Sequence, residues 1–390
     1  MKLFFLAGVQ VGEDIYFSAW NTNGLFKMNP GTNECVFLTR FEGEAHQNLH
    51  SAAVCYEGAL WFIPSNSDRI ARVDIQTLAV TYLSLPEYGA DRTLNGVRQF
   101  IRFKHCYDKG ERYLWLTPYA YNFLIRVDLE ERKLTAGTEY PVTRFSDSIR
   151  IGEEIWLCPR NGEKGLIVNV VSGEAKEFSF GEGKPSYLSI NRYKDWVLFC
   201  PYDLNDGIVM QNRRTNERKY VHYNGTKSKY YTMCVSGSQA FFAPFEGDEC
   251  ILVDLEKETC TVAERLQKEL LPPGEKNGCY LTCMKYEDTW WFLPCMPGIP
   301  VLCWNPASEK ITYRYIETAR APYEEVMMEI IKSRRKEEYA VYGREVAFEN
   351  ELSLELLAEL LKGENREEHT ELKAASGRQI YETVKGKQKT

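Results

Sequence analysis

The chain has 390 residues, 44% of them apolar and 13% aromatic, so it can bury a large core but exceeds an ordinary single domain unless that domain is a repeat array. A net charge of −7 and a pI near 5.6 exclude a general nucleic-acid binder, which needs a basic face for phosphates. No apolar run approaches the ~20 residues that span a bilayer.

The opening MKLFFLAGVQVGED contains only LFFLAGV as an apolar run, with no small-residue cleavage pattern after it. It reads as a first β-strand. IYFSA follows, ending at Ala19. The next such segment, ALWFIPSNSDRIARVDIQT from Ala59 to Thr77, is the clearest: an apolar burst stops at Pro64, crosses a polar turn and resumes to Asp74. This is a hairpin with proline at a strand end, where its missing N–H does least harm. LWLTP (to Pro118), IWLCP (Pro159), VLFCP (Pro201), AFFAP (Pro244) and WWFLP (Pro294) repeat it. Ten residues after each of these positions come Asn29, Asp74, Asp128, Asn169, Gln211, Asp254 and Trp304, the last followed by Asn305. Each hairpin is preceded by one strand-like run and followed by another. The last turn is marked by Asp or Asn with Thr, Ser, Gly or Asn behind it, as in NPGTNE, DLEER and NPASEK.

The unit is therefore four short strands, with a period between 41 residues (Pro118 to Pro159) and 54 (Pro64 to Pro118). Such units are the mark of a propeller blade. The expected fold is all-β: a seven-bladed β-propeller of four-stranded antiparallel blades over 1–319, followed by a mostly helical C-terminal tail over 320–390. The blades are expected at 1–43, 44–89, 90–141, 142–181, 182–224, 225–272 and 273–319, the first built from one continuous segment. In the tail, Leu354, Leu357 and Leu361 fall at helical spacing, and burying that stripe would dock the tail on the propeller or on a second chain.

The W/F-x-P hairpin sentence and its Asp/Asn turn resemble those of poorly characterised bacterial seven-bladed propellers, over about residues 1–319. The paired glycines of kelch repeats, the Gly-His and Trp-Asp of WD repeats and the S-x-D-x-G-x-T-W boxes of sialidases are missing. The resemblance extends loosely to lyases that use this toroid. So broad a likeness implies the fold and not the activity.

Residues just after each repeat proline and at each first-strand start are expected to ring one mouth of the channel. They give the candidate ligand-binding set Trp20, His46, His50, Arg98, Tyr119, Asp147, Arg160, Tyr187, Tyr202 and Tyr230, with Ser65, Phe245, Tyr231, Tyr280 and Cys295 in the same ranks. Aromatic rings interleaved with Arg, His and Asn suit a polar ligand, anionic or carbohydrate-like, or a protein partner. Arg98 and Arg160 are the expected anion contacts, Arg98 as the opening of a first strand. An enzyme, a lyase or hydrolase with its site in the same mouth, is the other reading. It requires a His or carboxylate near Arg98 or Arg160.

No metal or other cofactor is expected. His46 and His50 stand ~13 Å apart if the chain between them is extended, too far for one metal. The acidic stretches Tyr202–Asp206 and Phe245–Glu249 could hold calcium through oxygens, but they read as solvated turns. The twelve cysteines lie mostly inside apolar strands without C-x-x-C spacing, which predicts reduced core thiols in a cytoplasmic protein.

Overall fold

A computed structural model describes residues 2–20, 22–42, 49–65, 67, 69–85, 93–94, 97–98, 103–118, 123–137, 139–140, 145–159, 164–180, 187–223, 227–270, 279–295 and 299–318. The expected tail, 320–390, lies outside them.

Among the described residues the strands form seven four-stranded antiparallel sheets, each from one continuous stretch of chain in simple meander order. The chain is a seven-bladed β-propeller. Blade 2 shows the unit: His50–Tyr56, Ala59–Pro64, Arg69–Asp74 and Val80–Ser84. First strands are innermost and touch each other around the whole ring, including Tyr280–Tyr286 of blade 7 against Phe5–Val11 of blade 1. Burial peaks in the second strand and falls toward the outer edge. Every residue of Ala59–Pro64 is buried, whereas three of four are exposed in the outer strand Ala175–Phe178. That is why second strands read as unbroken apolar runs: neighbouring blades cover both their faces. Helix is confined to two three-residue 3-10 turns, Leu204–Asp206 and Lys268–Leu270, among the described residues.

The repeat prolines occupy one structural slot. Pro64, Pro118, Pro159, Pro201, Pro244 and Pro294, with Ala19 in blade 1, pair with His50, Phe103, Phe145, Tyr187, Tyr230, Tyr280 and Phe5 near the start of the first strand. Five of the six prolines end their strands; the blade 6 strand, Gln239–Glu246, runs two residues past Pro244.

The turn signature is a side-chain device. Asn29, Asp74, Asp128, Asn169, Asn212, Asp254 and Asn305 each accept two backbone N–H bonds, from the second and third residues on. The next residue is left-handed in all seven turns: Asn33, Leu78, Arg132, Gly173, Asn216, Glu258 and Glu309, with φ between 54° and 76°. These contacts correct the fixed ten-residue offset. In blades 5 and 7 the acceptor is Asn212 and Asn305, one residue beyond Gln211 and Trp304, so the Asp/Asn side chain and not the count is what repeats. In blade 5 the 3-10 turn Leu204–Asp206 lies within the longer hairpin.

A second correction concerns Arg98. It does not open the first strand of blade 3, which is Phe103–Cys106; Val97–Arg98 pairs with Thr93–Leu94 in a separate two-stranded ladder. The intervening Asn95-Gly96 is a strong hairpin signal that outweighs continuation into the blade.

The ring closes without exchanging a blade strand. Lys2–Leu3 pairs with Ile316–Glu317, the Thr318 hydroxyl donates to the Cys35 carbonyl at 3.1 Å, and the Tyr286 hydroxyl to the Glu13 carbonyl at 3.0 Å.

Leu78, half-buried with φ 58°, fills a slot that Asn33 and Asn216 fill elsewhere. Left-handed backbone costs most residues about 1–2 kcal/mol but Asn less. Leu78→Asn should raise stability by about 0.5–1 kcal/mol, while Asp74→Ala, which strips two backbone N–H groups of their acceptor, should lower it by about 1 kcal/mol. Urea titration of the two variants checks both signs.

Candidate functional site

The proline-bearing rim carries a cluster where blades 5 and 6 meet. Tyr202 directly follows Pro201, Phe245 directly follows Pro244, and Tyr231 lies in the first strand Lys229–Ser236. Their backbones are tied, the Tyr230 N–H donating to the Tyr202 carbonyl at 2.9 Å. The three rings touch mutually: centroids are 6.1 Å apart for Tyr202–Tyr231 (81° between planes), 6.3 Å for Tyr202–Phe245 and 4.8 Å for Tyr231–Phe245. All three are half-buried. At these spacings the rings fill the volume between themselves and offer a faceted platform, not a cage.

Polar groups border it. The Tyr202 hydroxyl donates to Glu246 Oε1 at 2.7 Å. Lys229 pairs with Asp203, each 27% exposed, and Asp203 also accepts from the Asn205 backbone N–H (3.0 Å) and side-chain amide (2.7 Å). Burial works to raise the Asp203 pKa, but the Lys229 ammonium and the Asn205 donors outweigh it, and the carboxyl lies below its ordinary range. Burial, then the Glu246 carboxylate, raises the Tyr202 phenol, which stays a protonated donor at neutral pH. The platform thus has apolar faces, an anionic acceptor and an ion pair within one rim segment.

Of the expected set, Tyr202 stands in this cluster with Tyr231 and Phe245 beside it. Lys229, Asp203 and Glu246 are not in the expected set; Asp203 and Glu246 lie in the acidic stretches after Pro201 and Pro244, whereas nothing in the sequence marks Lys229. Asp203 is committed to Lys229 and to capping the 3-10 turn. Trp20 is half-buried in blade 1, its N–H bonded to the Phe4 carbonyl at 2.8 Å. Tyr187, Tyr230 and Tyr280 form a buried layer beneath the rim, where the Tyr230 hydroxyl donates to the Glu249 carbonyl (2.9 Å) and the Tyr280 hydroxyl to the Pro300 carbonyl (3.2 Å). Asp147 accepts from the Ile190 N–H of the next blade at 3.2 Å and from the Ser148 N–H at 3.0 Å. Arg98 is described in its backbone only, and His46, Tyr119 and Arg160 lie outside the described residues.

His50 belongs to the same buried layer, in the slot of Phe5, Phe103 and Phe145. Its Nδ1 is 2.8 Å from the Ser18 hydroxyl of blade 1, and the ring packs against Phe41 and Phe62. Its Nε2 is buried without a partner. Among the described residues no three His, Cys, Asp or Glu side chains gather as a metal site, and no helix is long and apolar enough to cross a membrane.

No protein-family model and no curated protein matches the sequence. Solved structures do match in shape. A virginiamycin B lyase from Staphylococcus aureus shares 12% identity over 75% of this chain and 94% of its own, with a TM-score of 0.58. The extracellular domain of the B. thetaiotaomicron hybrid two-component system BT4673 shares 13% over 75% of this chain and 37% of its own, at 0.54. The computationally designed protein Ika8 shares 9% over 82% of this chain and 89% of its own, also at 0.54. What they share is the propeller. A lyase, the extracellular domain of a two-component system and a computationally designed protein at comparable scores carry the fold and no common chemistry.

Burial pushes the His50 imidazole down to about 3. The unfolded chain binds this proton below its ordinary pKa near 6.5 and the folded chain refuses it, so stability falls with pH across that window by about 1.4 kcal/mol per unit. His50→Phe, matching the other blades, should remove about 2 kcal/mol of the stability lost between pH 6.5 and pH 5. Urea unfolding of both proteins at the two pH values measures the difference; parallel losses would place the titrating group elsewhere.

Proposed function

We propose that this propeller is a binding module whose ligand is polar and carbohydrate-like, held at the blade 5–6 rim. The observation that carries this reading is the half-exposed platform of Tyr202, Tyr231 and Phe245 with Glu246 and the Lys229–Asp203 pair at its border. A pyranose ring has an apolar C–H face that lies on an aromatic ring and hydroxyls that bond to carboxylates and ammonium groups at its edge. An anionic sugar would add contacts to cations of the rim, with Lys229 in place here and Arg160 the proposed other.

A second reading, an enzyme acting on such a ligand, has one observation in its favour: the contact between the Tyr202 phenol and the Glu246 carboxylate is an acid–acceptor pair at the mouth. His50 takes no part in it, because its buried, neutral ring lies between blades.

Calorimetric titration with neutral and uronate-containing oligosaccharides tests the binding reading. Tyr231→Ala and Phe245→Ala should each weaken binding about tenfold, equivalent to about 1.4 kcal/mol, with the fold retained. Absence of heat with every oligosaccharide, or equal binding by the variants, would overturn it. Appearance of an unsaturated or hydrolysed product on prolonged incubation would establish the enzymatic reading instead.

A further inference from the structure

Seven of the twelve cysteines lie in blades 6 and 7. Cys234, Cys250 and Cys279 are buried in one apolar cluster with Cys283 packed against it, Cys303 is buried elsewhere in blade 7, and Cys295 lies at the rim directly after Pro294. Cys279 and Cys295 face each other within one hairpin. Tyr280 pairs with Pro294 in the first hairpin of blade 7, and one step further the Cys295 N–H donates to the Cys279 carbonyl at 3.0 Å. The two cysteines therefore stand opposite each other one residue beyond the paired ends of antiparallel strands, and continuation of that pairing points both to the same face. Opposed residues joined this way have Cα atoms about 5.5 Å apart, at the centre of the range a disulfide requires. The return hydrogen bond of a full pair is not made: the Cys279 N–H donates at 2.6 Å to the Phe245 carbonyl of blade 6 instead. Only one backbone bond fixes the spacing, which leaves the strands free to close by the few tenths of an ångström that bonding two sulfurs demands.

We propose that Cys279 and Cys295 are an oxidant-sensitive dithiol that closes to a cross-strand disulfide at the mouth of the propeller. The two thiols differ in the way such a pair needs. Cys295 is partly exposed and meets the oxidant first; Cys279 is 1% exposed and resolves. With a hydroperoxide as oxidant, the Cys295 thiolate attacks the distal peroxide oxygen. An S–O bond forms as the O–O bond breaks, and the alcohol, or water from hydrogen peroxide, leaves. The Cys279 sulfur then attacks the sulfenic sulfur, the S–S bond forms, the S–O bond breaks, and hydroxide departs with the Cys279 proton as water. The two sulfurs together lose two electrons and the peroxide gains them. Burial, with Cys295 as a neighbour, pushes the Cys279 thiol up to about 12, consistent with its acting second and not as the first nucleophile.

This inference is independent of the ligand proposed for the rim, since its readout is a covalent bond. The full-length chain is treated with a small excess of hydrogen peroxide, acid-quenched, alkylated and mapped by mass spectrometry. Two of the twelve free thiols should be lost, with a linked peptide joining Cys279 to Cys295 that disappears on reduction. Cys295→Ser, at a partly exposed position, should abolish the link and leave Cys279 alkylated. Cys279→Ser should halt Cys295 at a sulfenic acid that dimedone traps. A linked peptide joining Cys295 to any other cysteine, or Cys279 and Cys295 both alkylated in the treated wild-type chain, would overturn the assignment.

Discussion

Each blade has two apolar faces and no means of covering them alone, so everything in this protein depends on the inner strands meeting their neighbours. Seven contacts between first strands make the ring, and each also carries a polar link. The His50 ring meets the Ser18 hydroxyl, Tyr107 donates to the Cys55 carbonyl, and the Thr117 and Ser148 hydroxyls bond at 2.5 Å. Asp147 takes the Ile190 N–H, the Asn191 amide reaches the Met233 carbonyl, Cys283 donates to the same carbonyl, and Gln10 takes the Glu287 N–H. Apolar burial supplies most of the free energy here, and the polar links fix the rotation of one blade on the next.

The same dependence explains what was legible in the residues. Strands covered on both faces need unbroken apolar runs, and tight turns need Asp or Asn, so blade number, strand order and the proline slot could all be read directly. A side-chain acceptor is chemically specific, whereas spacing is not: a short 3-10 turn in blade 5 shifted the offset by one residue and left Asn212 in its role. Arg98 was misplaced because a pair of short strands and the start of a blade look alike without their partners.

The site was legible only in part, and for a physical reason. Residues after the prolines were expected at one mouth, and Tyr202 and Phe245 are there with Tyr231. The alternation that points one residue to the rim points its neighbour into the wall, however, and a first-strand bulge falls close to the start in six blades, resetting that alternation. Tyr187, Tyr230 and Tyr280 therefore lie beneath the surface, where two of their hydroxyls tie inner strands to outer ones. Lys229 and Glu246 could not be singled out, because opposite charges far apart in sequence become a site only when the hairpins that carry them converge.

The seam between blades 7 and 1 differs from the other six joints in covalent connectivity. Elsewhere the backbone itself crosses from one blade to the next, so parting two blades still leaves them tethered. At the seam, among the described residues, the bridges are the packing of Phe5–Val11 against Tyr280–Tyr286, the ladder of Lys2–Leu3 with Ile316–Glu317 and a few side-chain bonds. Mechanically the toroid is a split washer. A load applied across it is carried there by non-covalent contacts alone, and parting them spreads the slit into an open horseshoe.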